Sequence, residues 1–398
     1  MTTTLPQSRI LWPQVFALAM VQGAIVLSWV IYNLYLGDLL KQFGFSAGFV
    51  FSIILLENSL AIVMEPLMGR FSDQTQRWFG SRFPFIAGGV ILASFLLIAI
   101  PTIVIFGQPI GLIRWLLPIV VVAWALSMTL FRSPALSLMG RYAYGSGLPQ
   151  AVSLLTVMGA LAGAMGPLAN QFILSLGPAI AFGVASIVLL GSAALLRSVQ
   201  PEAQVEAPSL SLSNAKSRLS VIRLILIFIV GWGFGMGFRL QMFAFPKILA
   251  EIPGLDVKLI LGAIFVTIAL TAIPTGAVAR RIGNRSAMTI GFSGMIVTLA
   301  LMSFVHQTIA AVVAAISLGT CLSLVNNGTL PFALSMVPTD KAGVGTGMFF
   351  SGGALAANLF GSLFKETDTF APSILLLTAI IGWFVAMVAV GSSRKLEA

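Results

Sequence analysis

Long apolar runs separated by short polar breaks recur along the whole chain. An α-helix needs about 20 largely apolar residues to cross the ~30 Å hydrocarbon core of a bilayer. Runs near this length predict about twelve membrane spans, at 11–36, 47–68, 83–106, 114–139, 148–174, 177–196, 221–247, 258–279, 286–305, 308–336, 342–364 and 372–391. The connections leave no room for a folded soluble domain, so the pattern predicts an all-α membrane protein.

The composition supports the same class. The chain is 58% hydrophobic and 9% charged, whereas ordinary soluble domains are about 25% charged. It holds one histidine, His306, and one cysteine, Cys321, and it contains neither a metal-ligand spacing nor a phosphate-binding loop. We therefore expect no bound metal, no cofactor and no enzymatic activity.

The net charge of +10 follows the predicted topology. If the N-terminus lies inside, 15 of the 22 Lys and Arg residues fall in inner loops and 5 in outer loops. Inner loops of membrane proteins carry such an excess, so we predict that both termini are cytoplasmic. The basic residues then face anionic lipid headgroups, and no nucleic-acid partner is implied.

A polar stretch at 197–220, rich in Ser, Pro and charge, divides the chain. It predicts a cytoplasmic linker between an N-terminal half, 1–196, and a C-terminal half, 221–398, with six spans each. A glycine and a basic turn follow the second span of each half, at Gly69 and at Gly276. Two six-helix halves related by an axis along the membrane normal resemble the major facilitator superfamily.

Two segments carry a narrower resemblance. Residues 66–73 read PLMGRFSD and residues 77–86 read RWFGSRFPFI, which is similar to the loop after the second helix of sucrose–proton symporters and of glycoside–pentoside–hexuronide cation symporters. Residues 130–137, LFRSPALS, resemble the fourth-span run R-A-L-L-A-D of these families. Their membrane arginine falls on Arg132 and their aspartate on Ser137. The resemblance implies a cation-coupled sugar symporter.

The first of these segments holds a candidate conformational latch formed by Gly69, Asp73, Arg77 and Arg82. Asp73 lies just past the predicted end of the second span. Its carboxylate can accept hydrogen bonds from an arginine or from the N-terminal amides of a neighbouring helix. Gly69 permits a close helix approach. The alternative is a plain cytoplasmic turn.

Three ionisable residues within the spans are candidates for ion coupling: Glu57, Glu65 and Arg132. Such a group at a helix centre costs ~2.5–3.5 kcal/mol or more, so it usually faces a cavity or a partner. At ~1.5 Å per residue, Glu65 lies ~8 Å and Glu57 ~20 Å from the inner interface, with Arg132 between them at ~13 Å. Arg132 can therefore pair with either glutamate. A static ion pair that fixes helix packing is the alternative.

Polar residues on other spans are candidate solute ligands, together with Arg132. Gln22, Trp29 and Asn33 share one face of the first span, and an amide–aromatic–amide stripe suits a polyhydroxylated solute. Arg239 lies in a glycine-rich part of the seventh span and either contacts the solute or extends to the membrane surface. The other amides, for which interhelical hydrogen bonding is the alternative, are Asn326, Asn327 and Asn358.

Together these features predict a secondary active transporter in a bacterial inner membrane. We expect symport of H⁺ (or Na⁺) with a small polar solute, a sugar or glycoside first, by alternating access. Two alternatives stay open. Residues 159–167, GALAGAMGP, partly resemble an element of drug–proton antiporters, which favours efflux. A transporter-like protein that serves as a membrane assembly scaffold is the other.

Overall fold

The structure is a computed structural model that describes residues 10–200, 219–364 and 370–396. These residues fold into helices and connecting turns without a β-strand. The long helices are α1 (Trp12–Gln42), α2 (Ala47–Phe79), α3 (Phe83–Phe106), α4 (Gly111–Ser137), α5 (Leu148–Ser175), α6 (Gly177–Ser198), α7 (Val221–Leu249), α8 (Val257–Ile282), α9 (Asn284–Leu301), α10 (Thr308–Ser335), α11 (Ala342–Leu363) and α12 (Pro372–Ser392). The all-α prediction is confirmed.

Ten helices of the described chain are long and apolar enough to cross a membrane, and α9 and α11 fall outside this group. Helix α9 has only 18 residues and begins with Asn284 and Arg285. Helix α11 is rich in glycine, which adds little apolar surface. Both helices pack against neighbours of the same bundle, so their place in the fold depends on tertiary contacts as well as on hydropathy.

Helix α2 differs from its prediction. The span was expected to end at Met68, with Asp73 in a turn, but the helix continues to Phe79. The predicted turn is therefore wrong over residues 69–79, because polar residues continue a helix readily once it has left the hydrocarbon core. Gly80 ends the helix in the left-handed conformation, with a φ of 70°, which glycine adopts without steric cost.

Short connections make successive helices antiparallel. We call the end of the bundle at which α1 begins the near end, and the opposite end the far end. Gln14, early in α1, donates a 2.8 Å hydrogen bond to the Val199 carbonyl after α6. Arg223, early in α7, donates one of 3.1 Å to the Leu396 carbonyl after α12. Both sets of six helices thus begin and end at the near end, whose cytoplasmic location stays a prediction.

Buried apolar side chains form two large clusters. One is built almost entirely from α1–α6 and the other from α7–α12. We call these helix sets the first group and the second group. They meet where α2 packs on α11 and where α5 packs on α8. The predicted division into 1–196, 197–220 and 221–398 stays a prediction, since residues 201–218 of the linker lie outside the described residues.

The approach of α2 to α11 at the near end requires glycine on both helices. A Cβ atom on Gly69 would lie 2.1 Å from the carbonyl oxygen of Gly343, and one on Gly343 would lie 2.4 Å from the carbonyl oxygen of Gly69. Both distances are far below van der Waals contact, and the obstructing atoms are backbone. This contact therefore sets how closely the two groups can meet at the near end.

We expect Gly69→Ala to lower the thermal stability of the purified protein, because the new methyl group must push the α11 backbone away at a cost of about 1–3 kcal/mol. Gly88→Ala in α3 is the matched control, since a Cβ there meets nothing within 4 Å and alanine favours a helix. Thermal unfolding in one detergent compares the two. Equal melting temperatures would contradict the close-packing account.

Candidate functional site

A cavity of about 340 Å³ lies between the two groups of helices. Helices α1, α4 and α5 line it from the first group, and α7, α8, α10 and α11 line it from the second. Its aromatic residues are Phe234, Phe238, Phe265, Phe349 and Phe350, and its polar residues are Gln22, Thr156, Asn326, Thr329 and Thr346. None of the described residues that line it is charged. The volume is at the lower end of the range for small-molecule sites.

Contacts between the groups close the near end below this cavity. Ser133 of α4 donates a 3.0 Å hydrogen bond to the Gly343 carbonyl at the start of α11. Its hydroxyl also lies 2.8 Å from the Thr346 hydroxyl. At the surface, Arg77 forms an ion pair with Asp340, and both side chains are about half exposed. These contacts join the two groups at the near end, next to Thr346 of the cavity lining.

Asp73 is the central residue of this closure. Its carboxylate accepts hydrogen bonds from the backbone N–H groups of Gly343, at 2.9 Å, and of Val344, at 3.0 Å. Arg82 donates to the same carboxylate at 2.5 Å and to Ser137 at 2.6 Å. The two amides belong to the first turn of α11, where helical N–H groups lack intrahelical partners and attract negative charge. Asp73 thus connects the first group to the second.

Arg82 holds this carboxylate from the side of the first group. Its side chain is 1% exposed. Burial lowers the pKa of the Arg82 guanidinium, and the adjacent Asp73 carboxylate acts in the opposite direction. Ser137 of α4 accepts its second hydrogen bond. Gly69, Asp73, Arg77 and Arg82 therefore lie in one near-end cluster, although the latch function itself stays a prediction.

Deeper in the first group, Glu65 of α2 forms an ion pair with Arg132 of α4. The Glu65 side chain is fully buried and that of Arg132 is 22% exposed. The guanidinium carbon of Arg132 also lies 4.3 Å from the ring centroid of Phe350 on α11, within the range of a cation–π contact. Of the two pairings that the sequence allowed, the structure has Arg132 with Glu65.

Glu57 has a different partner. The Tyr32 hydroxyl of α1 donates a hydrogen bond to its carboxyl group, and the Glu57 residue is 7% exposed. Among the described ion pairs none includes Glu57. The two membrane carboxyl groups of α2 are therefore unlike, since Glu65 faces a cation and Glu57 faces a neutral phenol.

The predicted solute ligands are spread over several environments. Gln22 and Asn326 line the cavity. Trp29 packs edge-on against Trp124, with ring centroids 4.9 Å apart, and Asn33 is exposed and donates to the Trp29 carbonyl. Neither of these two residues lines the cavity. The predicted stripe on α1 therefore contributes one of its three members to the cavity.

The remaining candidates also lie outside the cavity lining. Asn327 is fully buried and donates 2.8 Å to the Ala272 carbonyl of α8. Asn358 donates 3.0 Å to the Leu55 carbonyl of α2. Both amides thus make the interhelical hydrogen bonds that were the alternative. Arg239 is half-buried, and its guanidinium donates to the Gly235 carbonyl of its own helix at 3.3 Å.

Sequence reasoning missed the partner of Glu57 and the aromatic part of the cavity. Tyr32 was adjacent to the predicted stripe, but its contact with Glu57 depends on how α1 packs on α2. The five cavity phenylalanines carry no signal in the sequence, because apolar spans place phenylalanine against lipid as readily as against a cavity. Thr156 also lines the cavity, and the sequence likewise carries no signal that distinguishes it from the other threonines of the spans.

The sequence model of the Major Facilitator Superfamily matches residues 18–362 of the chain. No curated protein sequence matches it. Among the described residues, no three His, Cys, Asp or Glu side chains lie close enough to hold a metal ion.

Solved structures share the fold at low sequence identity. A bacterial homologue of the iron transporter ferroportin, in an outward-facing state, matches with a TM-score of 0.70 and 18% identity over 96% of this chain and 99% of that chain. The proton:xylose symporter XylE matches with a TM-score of 0.71 and 14% identity over 96% of this chain and 95% of that chain. The human organic anion transporter MFSD10 (TETRAN) matches with a TM-score of 0.67 and 16% identity over 94% of this chain and 99% of that chain.

We expect Asp73→Asn to open the near end, because it replaces charge-assisted hydrogen bonds to α11 with weaker ones and leaves Arg82 without a counter-ion. A thiol introduced by Ser133→Cys in a Cys321→Ala background reports the opening, since Ser133 is fully buried in the closed structure. The maleimide labelling rate should rise on the order of tenfold, equivalent to ~1.4 kcal/mol. Asp38→Asn, at an exposed carboxylate, should leave the rate unchanged. A rise in both variants would refute the latch.

We expect Arg132→Ala to lower the free energy of unfolding by about 3–5 kcal/mol, because it leaves the Glu65 carboxylate buried and unpaired. Adding Glu65→Gln should restore a large part of the loss, since the double variant holds no buried charge at this position. Thermal or denaturant unfolding of the single and double variants tests the pair. Additive losses would indicate that the two side chains act independently.

Proposed function

Because the chain belongs to the major facilitator superfamily, we propose that this integral, multi-pass membrane protein is a proton- or cation-coupled secondary transporter. It carries a small solute by alternating access, in which the two groups of helices rock about a site between them. Symport is the proposed mode, and a sugar or glycoside is the first candidate solute. We place the protein in a bacterial inner membrane with the near end in the cytoplasm.

One observation carries the proposal: two helices that line the cavity, α4 and α11, pack against α2, which holds two buried carboxyl groups. Ionisable groups inside a membrane protein generally mark a solute path, an ion path or a proton relay. The cavity offers a solute site, and α2 offers groups that can bind the coupling ion. Both requirements of a coupled transporter are thus met within one part of the bundle.

We assign proton coupling to Glu57 ahead of Glu65. An ionised carboxylate at the position of Glu57 has a hydroxyl partner, Tyr32, and no ion pair with a described cation, so charge there is costly inside a bilayer. Protonation removes that cost. The carboxylate of Glu65 is compensated by Arg132, so it can stay ionised throughout the cycle. Glu57 is therefore the carboxyl group whose charge changes, while Glu65 and Arg132 hold α2 against α4.

The near-end cluster acts as the gate of the transport cycle. Asp73 is held by Arg82 within the first group and by two amides of α11 in the second, so rocking of the groups must break the amide hydrogen bonds. The Arg77–Asp340 pair breaks in the same movement. With the near end in the cytoplasm, the closed cluster corresponds to a state that faces away from the cytoplasm.

The solute class rests on the sequence resemblance and on the cavity lining. The amides of Gln22 and Asn326 can donate to and accept from hydroxyl groups, and aromatic rings can stack on the apolar face of a sugar ring. Efflux is the second candidate, because the apolar share of the lining suits the hydrophobic compounds that drug–proton antiporters carry. In that mode Glu57 would take up a proton as the compound leaves and release it when the next compound binds.

Reconstitution into proteoliposomes with an imposed pH gradient tests the transport function. We expect labelled sugars or glycosides to accumulate inward with the gradient, and Glu57→Gln to abolish the gradient-driven part because the amide cannot exchange a proton. Glu251→Gln, at an exposed carboxylate outside the helices, is the control and should leave uptake unchanged.

Other outcomes of the same assay would replace the proposal. Expulsion of a cationic dye against the gradient would assign antiport. Absence of flux with every solute, together with stable co-purification of a membrane complex, would assign the assembly role. If Glu57→Gln left the uptake intact, the coupling function would be assigned to another ionisable group.

A further inference from the structure

None of the described residues that line the cavity is charged, although a guanidinium lies close to it. Leu136 lines the cavity and follows Arg132 by four residues on α4, so the two side chains share a helix face. Arg132 itself is not part of the lining. Another side chain must therefore separate this cation from the space that a solute would occupy.

That side chain is Phe350. Its ring lines the cavity and lies against the guanidinium of Arg132, with 4.3 Å between the guanidinium carbon and the ring centroid. Glu65 holds the same guanidinium through an ion pair. The cation is thus covered by an aromatic face from α11 and neutralised by a carboxylate from α2. Both contacts reduce the positive potential that reaches the cavity.

The rest of the lining suits a neutral molecule with a flat apolar surface. Phe234, Phe238 and Phe265 present rings that can pack on such a surface. Gln22 supplies an amide from the first group, and Asn326 supplies one from the second. The Gln22 Oε1 atom has no hydrogen-bond partner among the described residues, so it can accept from a hydroxyl or an N–H group. A charged solute would find no counter-ion among the described residues of the lining.

We propose that the cavity admits an uncharged, ring-bearing solute with hydroxyl or amide groups, and that Phe350 sets this charge selectivity by covering Arg132. The inference rests on the transport function proposed above, since it names the solute class of that transporter's site. Phe350 acts through Arg132, because removing the ring would expose a cation to the cavity and admit anions.

The potential in the cavity can be measured without a known solute. A thiol introduced by Thr156→Cys, at a lining residue, is placed in the full-length Cys321→Ala protein. It is reacted with neutral methyl methanethiosulfonate and with the anionic 2-sulfonatoethyl analogue. Their rate ratio cancels differences in thiol reactivity. Phe350→Ala should raise the relative rate of the anionic reagent roughly threefold, as expected for a newly exposed guanidinium that Glu65 compensates in part.

Phe349→Ala is the matched control. Phe349 is the adjacent residue and lines the same cavity, but its ring is not among the described cation contacts. Phe349→Ala should therefore leave the rate ratio of the two reagents unchanged. Phe350→Leu, which keeps most of the apolar volume, is the second variant and should shift the ratio in the same direction. Equal ratios for the parent protein and both Phe350 variants would overturn the screening role.

A matched pair of ring compounds tests the solute class by protection of the same thiol. Indole-3-acetamide is neutral and indole-3-acetate is anionic, with nearly the same shape. We expect the amide alone to slow labelling by the neutral reagent in the parent protein, and the acetate to protect as well after Phe350→Ala. Equal protection by both compounds in the parent protein, or protection by neither, would overturn the proposed class.

The assay separates this inference from the transport function because it uses no gradient and measures no flux. The expected labelling pattern in a protein that transports nothing would keep the cavity selectivity and remove the transport proposal. Gradient-driven uptake together with protection by the acetate in the parent protein would keep the transport proposal and remove the cavity selectivity.

Discussion

The interior of a bilayer offers no water to a polar or charged group, and the arrangement of this protein depends on that constraint. The three acidic residues along α2 each find a partner on another element. Glu57 meets Tyr32 of α1, Glu65 meets Arg132 of α4, and Asp73 meets the amides of α11. These partners fix the rotation and depth of α2, because a shift by one residue would turn all three acids away from them.

The position of each partner decides whether its contact lies within one group of helices or between the two groups. Glu57 and Glu65 have their partners within the first group, on α1 and α4, so these two contacts do not depend on the second group. Asp73 is shared between the groups through the first turn of α11, next to the glycine contact of Gly69 and Gly343. The charged contacts between the groups, those of Asp73 with the α11 amides and of Arg77 with Asp340, therefore lie at the near end.

Much of this could be predicted from the chain alone. Apolar length is a local property, so the twelve helices were placed within a few residues, apart from the ends of α1 and α2, which continue to Gln42 and Phe79. Depth along a helix follows from its rise, which made a pair between Arg132 and a glutamate of α2 predictable. Which glutamate it would be depended on the rotation of α2 against α4, and rotation is a property of packing.

The order of residue types is enough to specify a helical membrane protein with a few acids and arginines that must be paired. Packing of the helices sets which polar residues reach the cavity and which bond neighbouring helices. Asn326 lines the cavity, whereas the next residue, Asn327, is buried against α8. The pattern of residue types in the sequence does not show this difference. The same holds for Phe350, because lipid and an apolar cavity favour the same side chains, and only the packing of α11 on α4 places this ring over Arg132.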